Sequence, residues 1–392
     1  MKIESYLRFM AEKKASDLFL TTGAPPSVKI EGEVFPIGDE PLQSGVVAKI
    51  ASELMDDKKR AEFANKMEAN VGLSLANIGR FRVNIYRQRG EVSIVIRYIK
   101  LEVASPDELG LPPVVKSFAM EKKGLLLVVG ATGSGKSTTL ASLVEARNQV
   151  KTGHILTIED PIEFAFTHRK SIVSQREVGI DTLSYQNALR EALREAPDVI
   201  MIGEIRDRES LEAALSLSDT GHLVMATLHA VNANQTLDRI INMFPRDQHT
   251  KLLQDLSLSL NAIISQRLVR SVNGCRVPAI EILVNTPFVS ELIAAGKVSE
   301  IKSAMESDTT GGMQTFDQAL IDLYKNGIIS NEEALSNADS PRNIKWQLNY
   351  GVDLTTEQSS VHTSQVSELS SASLTRSGVF DLHFEPTRSS SK

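Results

Sequence analysis

Cysteine is almost missing from this chain. The single thiol, Cys275, leaves no internal disulfide to form. That fits a reducing compartment and gives a zinc site no cysteine cluster to draw on. Long apolar runs are also missing. No stretch approaches the roughly 20 residues that span a bilayer. The N-terminus, MKIESYLRFMAEKKASD, is charged and amphipathic and lacks the apolar core of a signal peptide. An excess of positive charge is absent too: 43 Lys and Arg against 49 Asp and Glu give −6, with a pI of 5.8. Counterion-driven affinity needs a basic footprint, so a whole-protein nucleic-acid binder is disfavoured. There is no internal repeat. These absences predict a soluble, cytoplasmic protein without a transmembrane segment, touching a membrane only through a partner or a surface.

What is present suits two or three domains: 392 residues, 42% of them hydrophobic. Over residues 1–100 a short helix precedes several strand-like runs. SVKIEGEVFPI alternates around a central Glu-Gly that can turn a hairpin. FRVNIYRQRG and EVSIVIRYI predict a sheet with one buried face and one polar, Arg-rich face. Residues 101–113 contain EVASPDELGLPP, a linker candidate. Over 114–350, apolar runs (LLLVVG, HILTIED, DVIMIGE, HLVMATL) alternate with helical segments. That predicts an α/β domain with a largely parallel sheet. KLLQDLSLSLNAIISQRL predicts one helix with Leu252, Leu253, Leu256, Leu260, Ile263 and Ile264 on a common face. Residues 351–392 are rich in Ser and Thr. They are expected to be a disordered tail, apart from an island, SGVFDLHFEP, that could dock.

The chemistry centres on GATGSGKSTT. Gly130, Gly133, Gly135, Lys136 and Ser137 complete the phosphate-loop pattern G-x-x-x-x-G-K-[ST] between a strand run and a helical run. Glycines let backbone N–H groups wrap phosphates, so Ala131, Thr132, Ser134 and Thr138 belong to the same cradle. Lys136 would reach the β- and γ-phosphates of ATP, and Ser137 would ligate Mg²⁺. DVIMIGEIRD ends an apolar strand on Glu204, an acid suited to the metal, either directly or through a water. TIEDPIEF packs Glu159, Asp160 and Glu163 around Pro161, a poor core and a good place to polarise water. His222 and His229 bracket a strand, which suits a γ-phosphate sensor. Each feature alone has a plainer reading. The acids could be a solvated turn, the histidines structural, and the arginines of the N-terminal sheet an exposed face.

Taken in order, GATGSGKSTT, TIEDPIEF, APDVIMIGEIRD and TGHLVMATLHA resemble the Walker A, Asp box, Walker B and His box of the secretion ATPase superfamily. ASDLFLTTGAPPSVKIEGEV, GRFRVNIYRQRG, EILVNTPFV and GGMQTFDQALIDLYKNGIIS resemble its retraction branch, the PilT/PilU family of type IV pilus ATPases. The resemblance implies an N-terminal PAS-like α+β domain, a RecA-like P-loop ATPase domain and a homohexamer using ATP and Mg²⁺. It gives Glu163 the role of polarising water, Glu204 the metal-side acid and His229 the phosphate sensor, with His222 less secure. It sends Arg82 and Arg97 toward the nucleotide, with Arg80 and Arg89 behind them. Residues 102–113 would be a hinge. Assembly and secretion relatives carry a longer N-terminus and four zinc cysteines, which this chain lacks. Where PilT proteins have an Ala-Ile-Arg segment, this chain reads FVSELIAAGKVSEIKSAME. That departure and the tail are PilU-like. They imply an accessory motor working with a PilT-like ATPase and an inner-membrane platform protein of the PilC type, peripheral at the inner membrane. A weakly catalytic regulatory subunit and a pilus-assembly or type II secretion ATPase are the alternatives.

Overall fold

The structure is a computed structural model describing residues 3–75, 78–308 and 312–350. The tail expected over 351–392, with its SGVFDLHFEP island, lies outside the described residues. The described chain forms two compact units that divide at Lys100 and Leu101.

The first unit is one antiparallel sheet with three helices. Its strands are β1 (Asp17–Thr21), β2 (Ser27–Ile30), β3 (Glu33–Pro36), β4 (Glu68–Leu75), β5 (Gly79–Gln88) and β6 (Glu91–Ile99), in the order β3-β2-β1-β6-β5-β4. The expected hairpin exists. β2 and β3 pair from Ser27↔Pro36 to Ile30↔Glu33, and the turn residues Glu31 and Gly32 both have positive φ. Alternation sets the faces. Phe81, Val83, Ile85, Ile94 and Ile96 join Leu7 and Met10 of the first helix in one core, while Arg82 stands directly opposite Arg97 on the other face.

The second unit carries β7 (Gly124–Val129), β8 (Gly153–Glu159), β9 (Ser171–Glu177), β10 (Val199–Ile202), β11 (Leu223–Leu228), β12 (Leu260–Arg270) and β13 (Arg276–Val284). Their order is β13-β12-β7-β11-β10-β8-β9. Every neighbouring pair is parallel except β12–β13. The unbroken run of β7 follows from burial on both faces. Leu125, Leu127 and Val129 enter one core, and Leu126 and Val128 enter the other. Each fully buried leucine contributes about 2 kcal/mol relative to exposure.

KLLQDLSLSLNAIISQRL departs from expectation. Its helix, His249–Ser259, stops where β12 starts. Leu252 and Leu256 are buried on the helix, but Leu260, Ile263 and Ile264 are buried in a central strand. Burial on both strand faces replaces the single helical stripe, and the β-branched isoleucines suit it.

Three consecutive β12 residues reach three neighbours. Ser265 donates to Glu281 Oε1 at 2.9 Å, and the same oxygen accepts the Ala233 N–H at 2.7 Å. Ala233 opens the helix Ala233–Asn242. Gln266 accepts from Thr139 Oγ1 at 2.7 Å. Arg267 donates to the Asn337 carbonyl and to Asp339 at 2.8 and 2.7 Å, with its guanidinium 3.9 Å from the Phe316 ring centre. Those last contacts hold a small C-terminal core built on Phe316, Leu320, Ile329 and Ile344.

Burial pushes the Glu281 carboxyl from its ordinary 4.5 up to about 7, against the pull of its two hydrogen bonds. Between those values the folded chain holds a proton that the unfolded chain has released. Stability from this group is therefore greatest below about 4.5 and erodes as pH rises to about 7. Glu281→Gln keeps an acceptor and removes the titration. Urea midpoints should then vary less across that window than in the wild type. An unchanged slope would show that Glu281 does not titrate there.

Candidate active site

Parallel strands bring their C-terminal ends to one edge, and that edge collects the motifs. The phosphate loop follows β7, the acid loop follows β8, Glu204 follows β10 and His229 follows β11. Since β7, β11, β10 and β8 are successive neighbours, segments a hundred residues apart in sequence line one cleft of about 250 Å³. Thr132, Gly133, Lys136, Ser137, Glu163, Glu204 and His229 are on its wall.

The loop's shape demands glycine at two points of close approach. A Cβ on Gly130 would stand 2.5 Å from the Gln266 carbonyl oxygen and 2.4 Å from Ser134 Oγ. One on Gly135 would stand 2.7 Å from Gln266 Nε2, and both residues have positive φ. Gln266 thus buttresses the loop from β12. Lys136 Nζ donates to the Gly130 and Ala131 carbonyls at 2.9 Å each. Burial lowers its pKa, opposed by the charges of Glu204 and Glu163. Among the described residues, Ser134 Oγ is buried with no hydrogen-bond partner. Ser137 opens the P-loop helix beside Lys136, whose N-terminus favours anions.

The acids are organised by a chain of polar contacts. Glu204 Oε1 lies 2.8 Å from His229 Nε2, and Glu204 Oε2 accepts from Arg206 Nε at 2.6 Å. Arg206 also reaches Asp160 at 3.3 Å. One guanidinium therefore ties the loop after β10 to the loop after β8. Glu159 is buried at the end of β8, where Thr157 Oγ1 donates to it at 2.6 Å. Burial raises its carboxyl to about 7, with hydrogen bonds from Thr157, Gln175 and the Glu163 backbone opposing. The Asp160–Pro161 peptide is cis.

One expected site residue is placed elsewhere. His222 precedes β11, at the opposite end of the strand from His229 and so about 20 Å along it. Its Nδ1 sits 3.0 Å from the Leu217 carbonyl oxygen and 3.2 Å from Thr220 Oγ1. It is a turn residue, and strand direction is the reason. Arg82 and Arg97 lie in the first unit, where Arg97 Nε donates to Asp17 at 2.8 Å. Arg206, Tyr185 and Thr227 line the cleft without having been singled out by sequence. For Arg206 the signal was its place two residues after Glu204.

Residues 3–363 match the family model for type II/IV secretion system protein. The Pseudomonas aeruginosa type IV pilus ATPase PilU is 48% identical over 352 residues, 90% of this chain and 92% of that protein. The type IV pilus retraction ATPase PilT of the same organism is 42% identical over 88% of this chain and its own full length. A crystal structure of the pilus retraction motor PilT with bound ADP superposes with a TM-score of 0.80 at 42% identity, covering 88% of this chain and 99% of that one. Among the described residues, no helix is long and apolar enough to cross a membrane. A phosphate loop, an acid loop, a strand-end glutamate and a histidine that meet in one cleft therefore agree with overall kinship: the chain belongs to the type II/IV secretion system family, among its PilT/PilU-type ATPases.

Proposed function

We propose that this chain is an ATP-hydrolysing motor subunit that powers retraction of type IV pili, in the manner of a PilU-type accessory to a PilT-like motor. The observation that carries the hydrolytic part is the convergence of Lys136, Glu163, Glu204 and His229 on one cleft. Gly133, at positive φ, faces open space where a Cβ would meet nothing within 4 Å, and beside it Ser134 Oγ is buried without a partner among the described residues. Both suit a phosphate cradle.

The hydroxyl of Ser137 and the carboxylate of Glu204 are hard oxygen donors of the kind Mg²⁺ takes. Bound there, the ion would neutralise charge on the phosphates. Glu163 takes a proton from water, the water oxygen bonds to the γ-phosphorus, and the bond from that phosphorus to the β–γ bridging oxygen breaks. ADP leaves with the bridging oxygen, and phosphate carries the water oxygen. His229, 2.8 Å from Glu204, reports the γ-phosphate to that acid. Arg82 and Arg97 are our proposed phosphate-directed arginines.

The wider assignment rests on kinship. It comprises a PAS-like domain over 1–100, a linker over 101–113 with its hinge at 102–113, a RecA-like domain over 114–350 and a hexameric ring. The ring would sit in the cytoplasm against an inner-membrane platform protein. Deleting the gene should leave cells that assemble pili yet retract them weakly under load, measured by optical-trap pulling. Bald cells would instead make this an assembly motor.

A further inference from the structure

The loop between β8 and β9, residues 160–170, carries Glu163. Side chains of the outermost strand hold that part of it. Gln175 Nε2 donates to the Phe164 carbonyl at 2.9 Å and to Glu159 Oε1 at 3.1 Å. Gln175 Oε1 accepts the Phe166 N–H at 2.9 Å. Two residues along β9, Glu177 Oε2 accepts the Ile162 N–H at 3.4 Å. The loop backbone is therefore gripped at 162, 164 and 166, with Glu163 inside the grip. Neither Gln175 nor Glu177 is among the residues that line the cleft.

The chemistry of the grip is specific. One position must donate to a carbonyl and a carboxylate while accepting an N–H, and a side-chain amide does both without charge. Gln175 stands opposite Thr157 in the β8–β9 register, so donors from two strands converge on the same Glu159 oxygen. The amide thus joins a buried carboxyl, a loop carbonyl and a loop N–H into one rigid corner. A reacting group displaced by about 1 Å can lose roughly a hundredfold in rate, so a corner of this kind governs turnover without touching substrate.

We infer that Gln175 is a positioning residue for hydrolysis, its side-chain amide holding the backbone beside Glu163 so that the carboxylate faces the cleft. The inference rests on Glu163 being the base that takes the water proton. Phosphate binding is assigned to the loop after β7, whereas the Gln175 amide bonds to Glu159, Phe164 and Phe166. Loss of the amide therefore separates turnover from affinity.

The test uses the full-length chain. Steady-state ATP hydrolysis and titration with a fluorescent ADP analogue are compared for wild type, Gln175→Ala, Gln175→Glu and Glu163→Gln. Gln175→Ala should lower kcat by about 10- to 100-fold with the analogue's Kd within about twofold. Gln175→Glu sets a carboxyl oxygen where Nε2 met two acceptors, so the corner survives only while a proton is shared there. The charged groups on the surrounding elements are Glu159 on β8, Glu163 on the loop and Glu177 on β9. On the P-loop helix there is Glu145, which pairs with Arg169 at 3.5 Å. Most are acids, so the kcat of Gln175→Glu relative to wild type should fall steadily between about pH 6 and 8.5. An unchanged kcat in Gln175→Ala beside an inactive Glu163→Gln overturns the positioning role. So does an analogue Kd that weakens in step with kcat, or a Gln175→Glu profile parallel to wild type. If Glu163→Gln turns over at the wild-type rate, the hydrolysis reading itself fails and takes this inference with it.

Discussion

Glu163→Gln should abolish most ATP turnover while leaving nucleotide bound. The substitution keeps the size of the side chain and removes its ability to take a proton. A positioned general base is worth about 10²- to 10⁴-fold, and kcat should fall within that range. Affinity should hold. Glu163 supports the Lys136 charge only after Glu204 does, and the loop's backbone donors are untouched. Single-turnover hydrolysis alongside equilibrium binding of ADP separates the two effects. Turnover within about threefold of wild type would remove Glu163 from the role of base.

The second large effect concerns Lys136. In the structure its ammonium is turned onto its own loop, donating to the carbonyls of Gly130 and Ala131. Those contacts are replaceable by water, whereas a charge-assisted bond to a phosphate is not. Lys136→Ala should therefore weaken ATP binding by about 100-fold, some 3 kcal/mol. The ligand-free protein should lose less, since a partly buried ammonium with a lowered pKa is already held at a cost. The thermal shift that ATP confers on the wild type should then disappear at ligand concentrations that saturate it. A variant that melts far below wild type without ligand would make the lysine a structural pin.

Much of this site was legible in the sequence, for a reason visible in the sheet. Gly130, Glu163, Glu204 and His229 each follow an apolar run, and parallel strands gather whatever follows such runs at one edge. The same logic, carried one step further, places His222 at the wrong end. The symmetrical look of two histidines around HLVMATL hid the strand's direction. The boundary inside KLLQDLSLSLNAIISQRL was hidden because Leu252 through Ile264 satisfies a helical spacing and a doubly buried strand alike. β9 was not legible. SIVSQRE is short, half-polar and outermost, and Gln175 matters through geometry that no spacing encodes. The place of Arg206 two residues after Glu204 pointed only to its nearer contact. Its value lies in reaching Asp160, 46 residues away in sequence.

The three consecutive residues of β12 have a consequence for what the chain can tolerate. Ser265 and Arg267 face one side of the strand and Gln266 the other. Deleting one residue upstream in β12 would rotate every partner at once. The amide would leave the phosphate loop, the guanidinium would arrive beside Gly130 and Gly135, and the Phe316 core would lose its cation. A length change in the turn after Arg270 would leave all three pairings in place. Frame within this strand is therefore a single point of failure for the nucleotide loop, the helix after His229 and the C-terminal helices together.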